Sequence, residues 1–139
     1  MNNLDLYKTA ESYGMTVISA HIPVAQAVSY PVGNGYIVLD RSLQGRKERE
    51  CLVHEIGHCS TGAFYALNSP RGCRERLEYR ANAKSFELFL PPKIIQNAID
   101  DGITELYDLS EHFGLSEKFI RSAIEYWTNR RGVVFVIKQ

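Results

Sequence analysis

His54-Glu55-Ile56-Gly57-His58 is an H-E-x-x-H motif that lies within residues 48–60. In a helix the two histidines lie one turn apart on the same face, so both imidazoles can reach one metal ion. Glu55 lies beside that face, where its carboxylate can contact a metal-bound water without ligating the metal. This arrangement suits zinc-assisted hydrolysis with two histidine ligands and a carboxylate base.

The residues around the motif are typical of a helix that packs against a core. Apolar side chains recur among the histidines, at positions 51, 52, 53, 56 and 59. A polar run at 44–50 leads into the helix, and Thr61-Gly62 is a stop signal. Because H-E-x-x-H also occurs by chance, the alternative is a pair of surface or hydrogen-bonded histidines on an ordinary helix.

Length and composition are those of a soluble protein with one domain. At 139 residues, 45% of them hydrophobic, the chain fits one core. Sixteen basic residues balance sixteen acidic ones, which argues against a strong grip on nucleic acid or an anionic membrane. No apolar run approaches the roughly 20 residues of a membrane span, and residues 1–5 lack the features of a secretion signal. Three cysteines, an odd count, indicate reduced thiols and a cytoplasmic protein.

Apolar periodicity and turn signals predict an α+β fold that is mostly helical, with a small antiparallel sheet. Besides the motif helix, we expect helices at residues 4–13, 74–90 and 93–101 and two more within 103–126, and strands at 16–20, 27–32, 36–40 and 132–137. Gly33-Asn34-Gly35 predicts that the second and third strands form a hairpin. That hairpin either offers an edge to an extended peptide substrate or only covers the core. We predict one domain over 1–139, with a core at 1–92 and a helical extension at 93–139 that ends in a strand.

A catalytic zinc site needs a third protein ligand and an open position. The candidates are an acid or an imidazole on a neighbouring element, namely Glu75, Glu78, Glu87, His21 and His112. The surroundings favour Glu78, because Ala81 permits close helix approach and Asn82 can hydrogen-bond the second nitrogen of a histidine ligand. The alternative is that Glu78 forms a surface ion pair with Arg74 or Arg80.

Residues 107–124 have the outline of a helix-turn-helix, with a turn at Gly114 and Ser116 as the N-cap of the second helix. Lys118 and Arg121 supply too little positive charge for good DNA affinity, so we expect a helix-turn-helix-like packing unit that recognises the protein substrate, and no direct DNA binding. His112, within this unit, is expected to be a hydrogen-bonded structural histidine.

Three segments together resemble a known family. They are His54-Glu55-Ile56-Gly57-His58-Cys59, Thr61-Gly62-Ala63-Phe64-Tyr65, and Glu78-Tyr79-Arg80-Ala81-Asn82 running on to Leu90-Pro91. In this combination the chain closely resembles the ImmA/IrrE family of zinc metallopeptidases, which bacteria, phages and integrative elements encode. The resemblance is close over about residues 36–92 and looser to residue 127.

This resemblance implies a small zincin-like fold of the gluzincin type. It implies that His54, His58 and Glu78 bind Zn²⁺ and that Glu55 is the general base. It further implies a DNA-binding repressor of a mobile element as the protein substrate.

The sequence therefore predicts a zinc endopeptidase that cleaves a regulatory protein. Two alternatives are a DNA-binding regulator with a structural metal and a protein-interaction module without proteolysis. Tyr65 is a candidate donor to the oxyanion because it follows the motif helix closely, and the alternative for Tyr65 is an ordinary core tyrosine.

Overall fold

The computed structural model describes residues 2–23, 25–65 and 69–137. The elements in chain order are α1 (Asn3–Ser12), β1 (Thr16–Ala20), β2 (Ala27–Tyr30), β3 (Tyr36–Asp40), α2 (Gly45–Thr61), α3 (Arg71–Phe89), α4 (Pro92–Asp100), α5 (Leu106–Phe113), α6 (Glu117–Glu125) and a short π-helix (Tyr126–Arg130). The predicted α+β class with mostly helical content is confirmed. None of the described helices combines the length and apolar character needed to cross a bilayer.

The chain divides into two compact units, Met1–Ser85 and Phe86–Gln139. The first contains the sheet, α1, α2 and most of α3, and the second contains the shorter helices that follow. The organisation as one domain, with a core at 1–92 and an extension at 93–139, stays a prediction.

The sheet has the strand order β1-β3-β2. Strands β2 and β3 form the predicted antiparallel hairpin, but β1 runs parallel to β3, so the sheet is mixed and the expectation of an antiparallel sheet was wrong. The reason lies at the start of both strands, where the Thr16 amide donates to the Gly35 carbonyl at 2.9 Å. This bond places the beginnings of β1 and β3 at the same end of the sheet. Strand β2 is left at the edge.

Helix α2 packs on β2 and β3 and contributes the central residues of the core of the first unit. Alternate residues of β3, Ile37 and Leu39, are buried, as the period of a strand with one covered face requires. They share the interior with Leu52, Val53 and Ile56 of α2. The helix ends as predicted, because Gly62 adopts a left-handed conformation (φ 68°) and its amide donates to the His58 carbonyl.

Helices α2 and α3 approach closely at Gly57. A Cβ at this position would lie well inside van der Waals contact with the Ala81 carbonyl and with the Ser85 hydroxyl. Ser85 Oγ lies 3.0 Å from both the Val53 and the Ala81 carbonyl oxygens, so it ties the backbone of α2 to that of α3. Ala81 is fully buried, in agreement with its predicted role as a small contact residue.

Helix α3 begins at Arg71, three residues before the predicted start at 74. Pro70 precedes it, and the Pro70 carbonyl accepts a hydrogen bond from the Arg74 amide at 3.1 Å. Gly72 therefore belongs to the first turn of the helix rather than to the preceding loop.

The second unit has a core of aromatic side chains. The ring of Phe86 lies 5.3 Å from that of Phe119 and 5.6 Å from that of Tyr126. Gly114 ends α5 in a left-handed conformation, and the Ser116 hydroxyl caps α6 by accepting from the Phe119 amide at 3.1 Å. The predicted caps are thus present, while the description of this unit as a helix-turn-helix stays a prediction.

The predicted final strand at 132–137 was wrong, since these residues contain no strand. The backbone of Val136 pairs instead with the side-chain amide of Gln96, with distances of 2.8 and 3.0 Å. Val134, Val136 and Ile137 are exposed, so their β-branched side chains have no neighbouring strand to pack against in the described part of this unit.

Candidate metal centre

The two histidines of the motif point into one site. His54 and His58 lie on the same face of α2, with their Nε2 atoms 3.1 Å apart and their rings nearly perpendicular. His58 is buried and His54 is partly exposed. Glu55 is 8% exposed and lines the same cavity. The spacing of the motif thus produces the predicted convergence of the imidazoles.

Glu78 of α3 completes the set. Its two carboxylate oxygens lie 3.0 Å from His54 Nε2 and 3.0 Å from His58 Nε2. Ligands about 2.0–2.1 Å from a tetrahedral zinc are about 3.3 Å from one another. The three donor groups therefore already stand near the separations that one divalent ion requires, and they could hold a metal.

The other candidates for the third ligand lie elsewhere. Glu75 is exposed and pairs with Arg71, and Glu87 accepts hydrogen bonds within the second unit. His21 is exposed, 3.9 Å from Asp40. His112 is exposed and meets the ring of Phe113 edge-on at 4.8 Å.

One predicted environment differs from the one observed, since the hydrogen-bonded structural role expected of His112 does not match its exposed position. Glu78 contacts both histidines, as the favoured interpretation required, rather than forming the alternative ion pair with Arg74 or Arg80. Arg80 instead donates to the Thr61 carbonyl at 3.3 Å.

Each imidazole is held by its other nitrogen. His54 Nδ1 lies 3.0 Å from Asn82 Oδ1, and His58 Nδ1 lies 2.6 Å from the carbonyl oxygen of Ala63. Both oxygens are acceptors, so they fix the proton on Nδ1 and leave Nε2 to face the site. The contact of Asn82 is the predicted one. Ala63 was missed, because a backbone carbonyl gives no signal in the residue types.

The electrostatics of the three groups favour positive charge between them. Hydrogen bonds from His54 and His58 hold the pKa of the Glu78 carboxyl well below its usual range. Burial is the largest single influence and lowers the pKa of both histidines, but hydrogen bonding to Glu78 together with the charges of Glu55 and Glu78 outweighs it, and the net pKa of each is raised.

Glu55 is held from the side of the sheet. The Ser29 hydroxyl, on β2, donates to Glu55 Oε1 at 2.7 Å. Burial, together with the charge of Glu55, raises the pKa of the neighbouring Cys59 to about 11, so Cys59 is a neutral thiol. Ser29 was missed because a serine within a predicted strand gives no sign of which helix residue it will contact.

Tyr65 lines the site rather than the core. It is 38% exposed, its hydroxyl donates to Glu78 Oε1 at 2.8 Å, and this hydrogen bond raises its pKa. Its ring centroid lies 6.4 Å from that of His58. The alternative of an ordinary core tyrosine is therefore wrong.

A cavity of about 440 Å³ opens over these residues. Besides the acids, the histidines and Tyr65, its walls include residues 26–29 of the edge-strand region, Cys51, Ala63 and Phe64. The cavity therefore combines three donor groups for a cation, a buried carboxylate beside them and a strand along one wall. Such a site can bind a divalent ion and transfer a proton next to it.

Comparison with known proteins gives a family. No curated protein and no solved structure matches the chain. The family model described as the IrrE N-terminal-like domain matches residues 10–125, which include the H-E-x-x-H motif and Glu78. This match confirms the resemblance noted from the sequence. The chain belongs to Peptidase_M78, the metallopeptidase family of IrrE N-terminal-like domains.

Proposed function

We propose that this protein is a zinc-dependent endopeptidase that hydrolyses a peptide bond in a regulatory protein, the DNA-binding repressor of a mobile element. The observation that carries the proposal is the position of Glu78, 3.0 Å from both imidazoles, beside a buried Glu55. The family supports a metallopeptidase activity. The repressor is proposed as the substrate because the sequence resembles the repressor-cleaving members of the family. The proposed location is the cytoplasm, where such a repressor acts.

His54, His58 and Glu78 would hold the metal. Two nitrogen donors and one carboxylate are a donor set found in catalytic zinc sites. A bound zinc ion would supply Lewis acidity at the substrate carbonyl and lower the pKa of a water to about 7. Asn82 and Ala63 would keep the imidazoles in the orientation that presents Nε2.

Glu55 would move the proton. As the water oxygen forms its bond to the peptide carbonyl carbon, the Glu55 carboxylate accepts the water's proton. The same proton then passes to the nitrogen of the leaving amine as the carbon–nitrogen bond breaks. Glu55 returns to the carboxylate, so the residue is regenerated in each cycle.

Tyr65 is proposed as the donor to the carbonyl oxygen as negative charge develops there. Its hydroxyl faces the cavity and now donates to Glu78. A donor that is already directed at an oxygen in the site needs little movement to serve a second one.

The exposed edge of strand β2 is an argument for a peptide substrate. Strand β2 is an edge of the sheet and its residues 27–29 line the cavity. An extended peptide can add to such an edge through backbone hydrogen bonds, which places its carbonyl groups along the cavity. The balanced charge of the chain, with sixteen residues of each sign, favours recognition of this kind over electrostatic capture of a polyanion.

The alternative is a DNA-binding or protein-interaction regulator with a structural metal and no proteolysis. Its support is the capped pair of helices α5 and α6, on which Lys118 and Arg121 are exposed. Glu117 and Glu125 are exposed on the same helix and oppose binding to phosphates. A salt-dependent mobility shift with duplex DNA would favour this alternative.

The test is cleavage of the repressor encoded nearest to the gene. Incubation with zinc should give a discrete product, and a chelator should prevent it. Glu55→Gln should retain zinc and lose at least about 100-fold in rate, because the amide cannot accept the proton. Electrophoresis and mass spectrometry detect the product, and zinc is measured in the same samples. A Gln variant as active as the wild type would refute Glu55 as the base.

A further inference from the structure

Ser29 lies where the sheet meets the candidate base. It is on β2, opposite Ile37 of β3, and it is half-buried in the wall of the cavity. Its hydroxyl donates to Glu55 Oε1 at 2.7 Å. The distance is typical of a short hydrogen bond from a hydroxyl to a charged carboxylate.

The hydrogen bond from Ser29 to Glu55 has a fixed direction. A serine has one proton to donate and lone pairs to accept, whereas an ionised carboxylate only accepts. The Ser29 proton therefore goes to Glu55.

This hydrogen bond distinguishes the two oxygens of Glu55. Oε1 accepts from Ser29, and Oε2 does not take part in that bond. A glutamate has three side-chain torsions, and an unrestrained carboxylate would sample several orientations. Binding one oxygen to a rigid strand removes most of that freedom before the substrate arrives.

We propose that Ser29 is a positioning residue for the Glu55 base. It holds the carboxylate through Oε1 so that Oε2 accepts the proton of the attacking water. The proposal rests on the proposed hydrolytic function of this site. It also makes one element, β2, responsible both for the peptide-binding edge and for the orientation of the base.

The test uses variants at Ser29 and a ligand that needs no knowledge of the natural substrate. Acetohydroxamate chelates zinc through its two oxygens and has a proton that a neighbouring carboxylate can accept. Its affinity for the zinc-loaded protein, measured by calorimetry, therefore depends on whether the Glu55 carboxylate is positioned to accept that proton. The variants are Ser29→Ala, Ser29→Val and Ser29→Thr, with Glu55→Gln as the reference.

The pair Ser29→Thr and Ser29→Val separates the hydroxyl from packing. The two side chains have nearly the same volume and both suit a strand, but only threonine keeps the hydroxyl. Ser19→Ala is the matched control, because Ser19 lies on β1, at the other edge of the same sheet. If Ser29→Ala folds poorly, the threonine and valine pair still decides the question.

We expect Ser29→Ala and Ser29→Val to bind acetohydroxamate about threefold to tenfold more weakly, with zinc content unchanged. Ser29→Thr and Ser19→Ala should bind it as the wild type does. If Ser29→Val equals Ser29→Thr while Glu55→Gln is weakened, the role of Ser29 is refuted and the proposed function stands. If Glu55→Gln is not weakened, the base itself is wrong, and Ser29 has no base to position.

Discussion

At the scale of single residues, Glu78 is the donor that distinguishes a metal site from two histidines on a helix. Both of its oxygens are engaged by the imidazoles. We expect Glu78→Ala to lower zinc affinity by more than the 10–100-fold that loss of an outer hydrogen-bond partner costs. Zinc affinity is measured by competition with a coloured chelator.

Glu75→Ala is the matched control for this substitution. Glu75 lies three residues earlier on α3, is exposed, and pairs with Arg71. Its loss should leave zinc affinity unchanged. If Glu78→Ala bound zinc as tightly as Glu75→Ala, the third ligand would be another residue.

The sequence predicted the residues of the site whose chemistry is visible in their type. His54, His58 and Glu78 could be proposed because imidazoles at one-turn spacing and a nearby carboxylate are a recognisable donor set. Ser29 and the Ala63 carbonyl could not. A serine in a strand and a backbone oxygen have no distinctive pattern, and their role depends on which elements pack together.

At the scale of elements, the contact of α2 with α3 sets the distance between Glu78 and the histidines. We expect Gly57→Ala to cost about 1–3 kcal/mol of stability and to weaken zinc binding, since the new Cβ would contact backbone atoms of α3 and push the helices apart. Chemical denaturation and zinc titration measure the two effects.

Gly72→Ala provides the comparison. Gly72 is also helical, on α3, and a Cβ there meets nothing within 4 Å. This change should be neutral or stabilise by up to about 1 kcal/mol through lower backbone entropy of the unfolded chain. Equal behaviour of the two alanine variants would show that close helix approach is not required.

The turn between β3 and α2 has a specific dependence on pH. Hydrogen bonds from the Ser42 side chain and from the Ile22 and Ser42 amides lower the pKa of Asp40 to about 2. A folded-state pKa below the unfolded value means that Asp40 stabilises the protein above about pH 4. This contribution is lost as the pH falls from about 4 to about 2.

We therefore expect Asp40→Asn to be less stable than the wild type at pH 7 and to approach it near pH 2. The NH2 group of an asparagine is itself a hydrogen-bond donor, so it cannot accept the hydrogen bonds that Ser42 donates to Asp40. Denaturant midpoints at both pH values measure the difference, with Asp101→Asn, at an exposed aspartate after α4, as the control for lost charge. A stability difference that is independent of pH would contradict the assignment.

Most elements were predictable, while their pairing was not. Helix ends at Gly62 and Gly114 and the hairpin turn before Tyr36 depend on local conformational preferences, which the residue types reveal. The parallel pairing of β1 with β3 and the absence of a strand at 132–137 depend on which neighbouring segment each one packs against. Alternation of apolar and polar residues shows which face of a strand is buried, but it does not identify the strand that pairs with it.

At the scale of the whole molecule, the site is assembled from segments far apart in the sequence but all within the first compact unit. Ser29 comes from the sheet, the motif from α2, Tyr65 from the segment after it, and Glu78 from α3. Fold and site geometry are therefore coupled, because packing of α2 on both the sheet and α3 orients Glu55 and the three donor groups together.

The central claim is that His54, His58 and Glu78 bind one zinc ion. X-ray absorption at the zinc edge of the protein loaded with one equivalent tests it most directly. We expect two imidazole nitrogens and one carboxylate oxygen at about 2.0–2.2 Å. Cys51 lines the same cavity and offers the competing donor. A sulfur ligand at about 2.3 Å, or a spectrum without two imidazoles, would contradict the account.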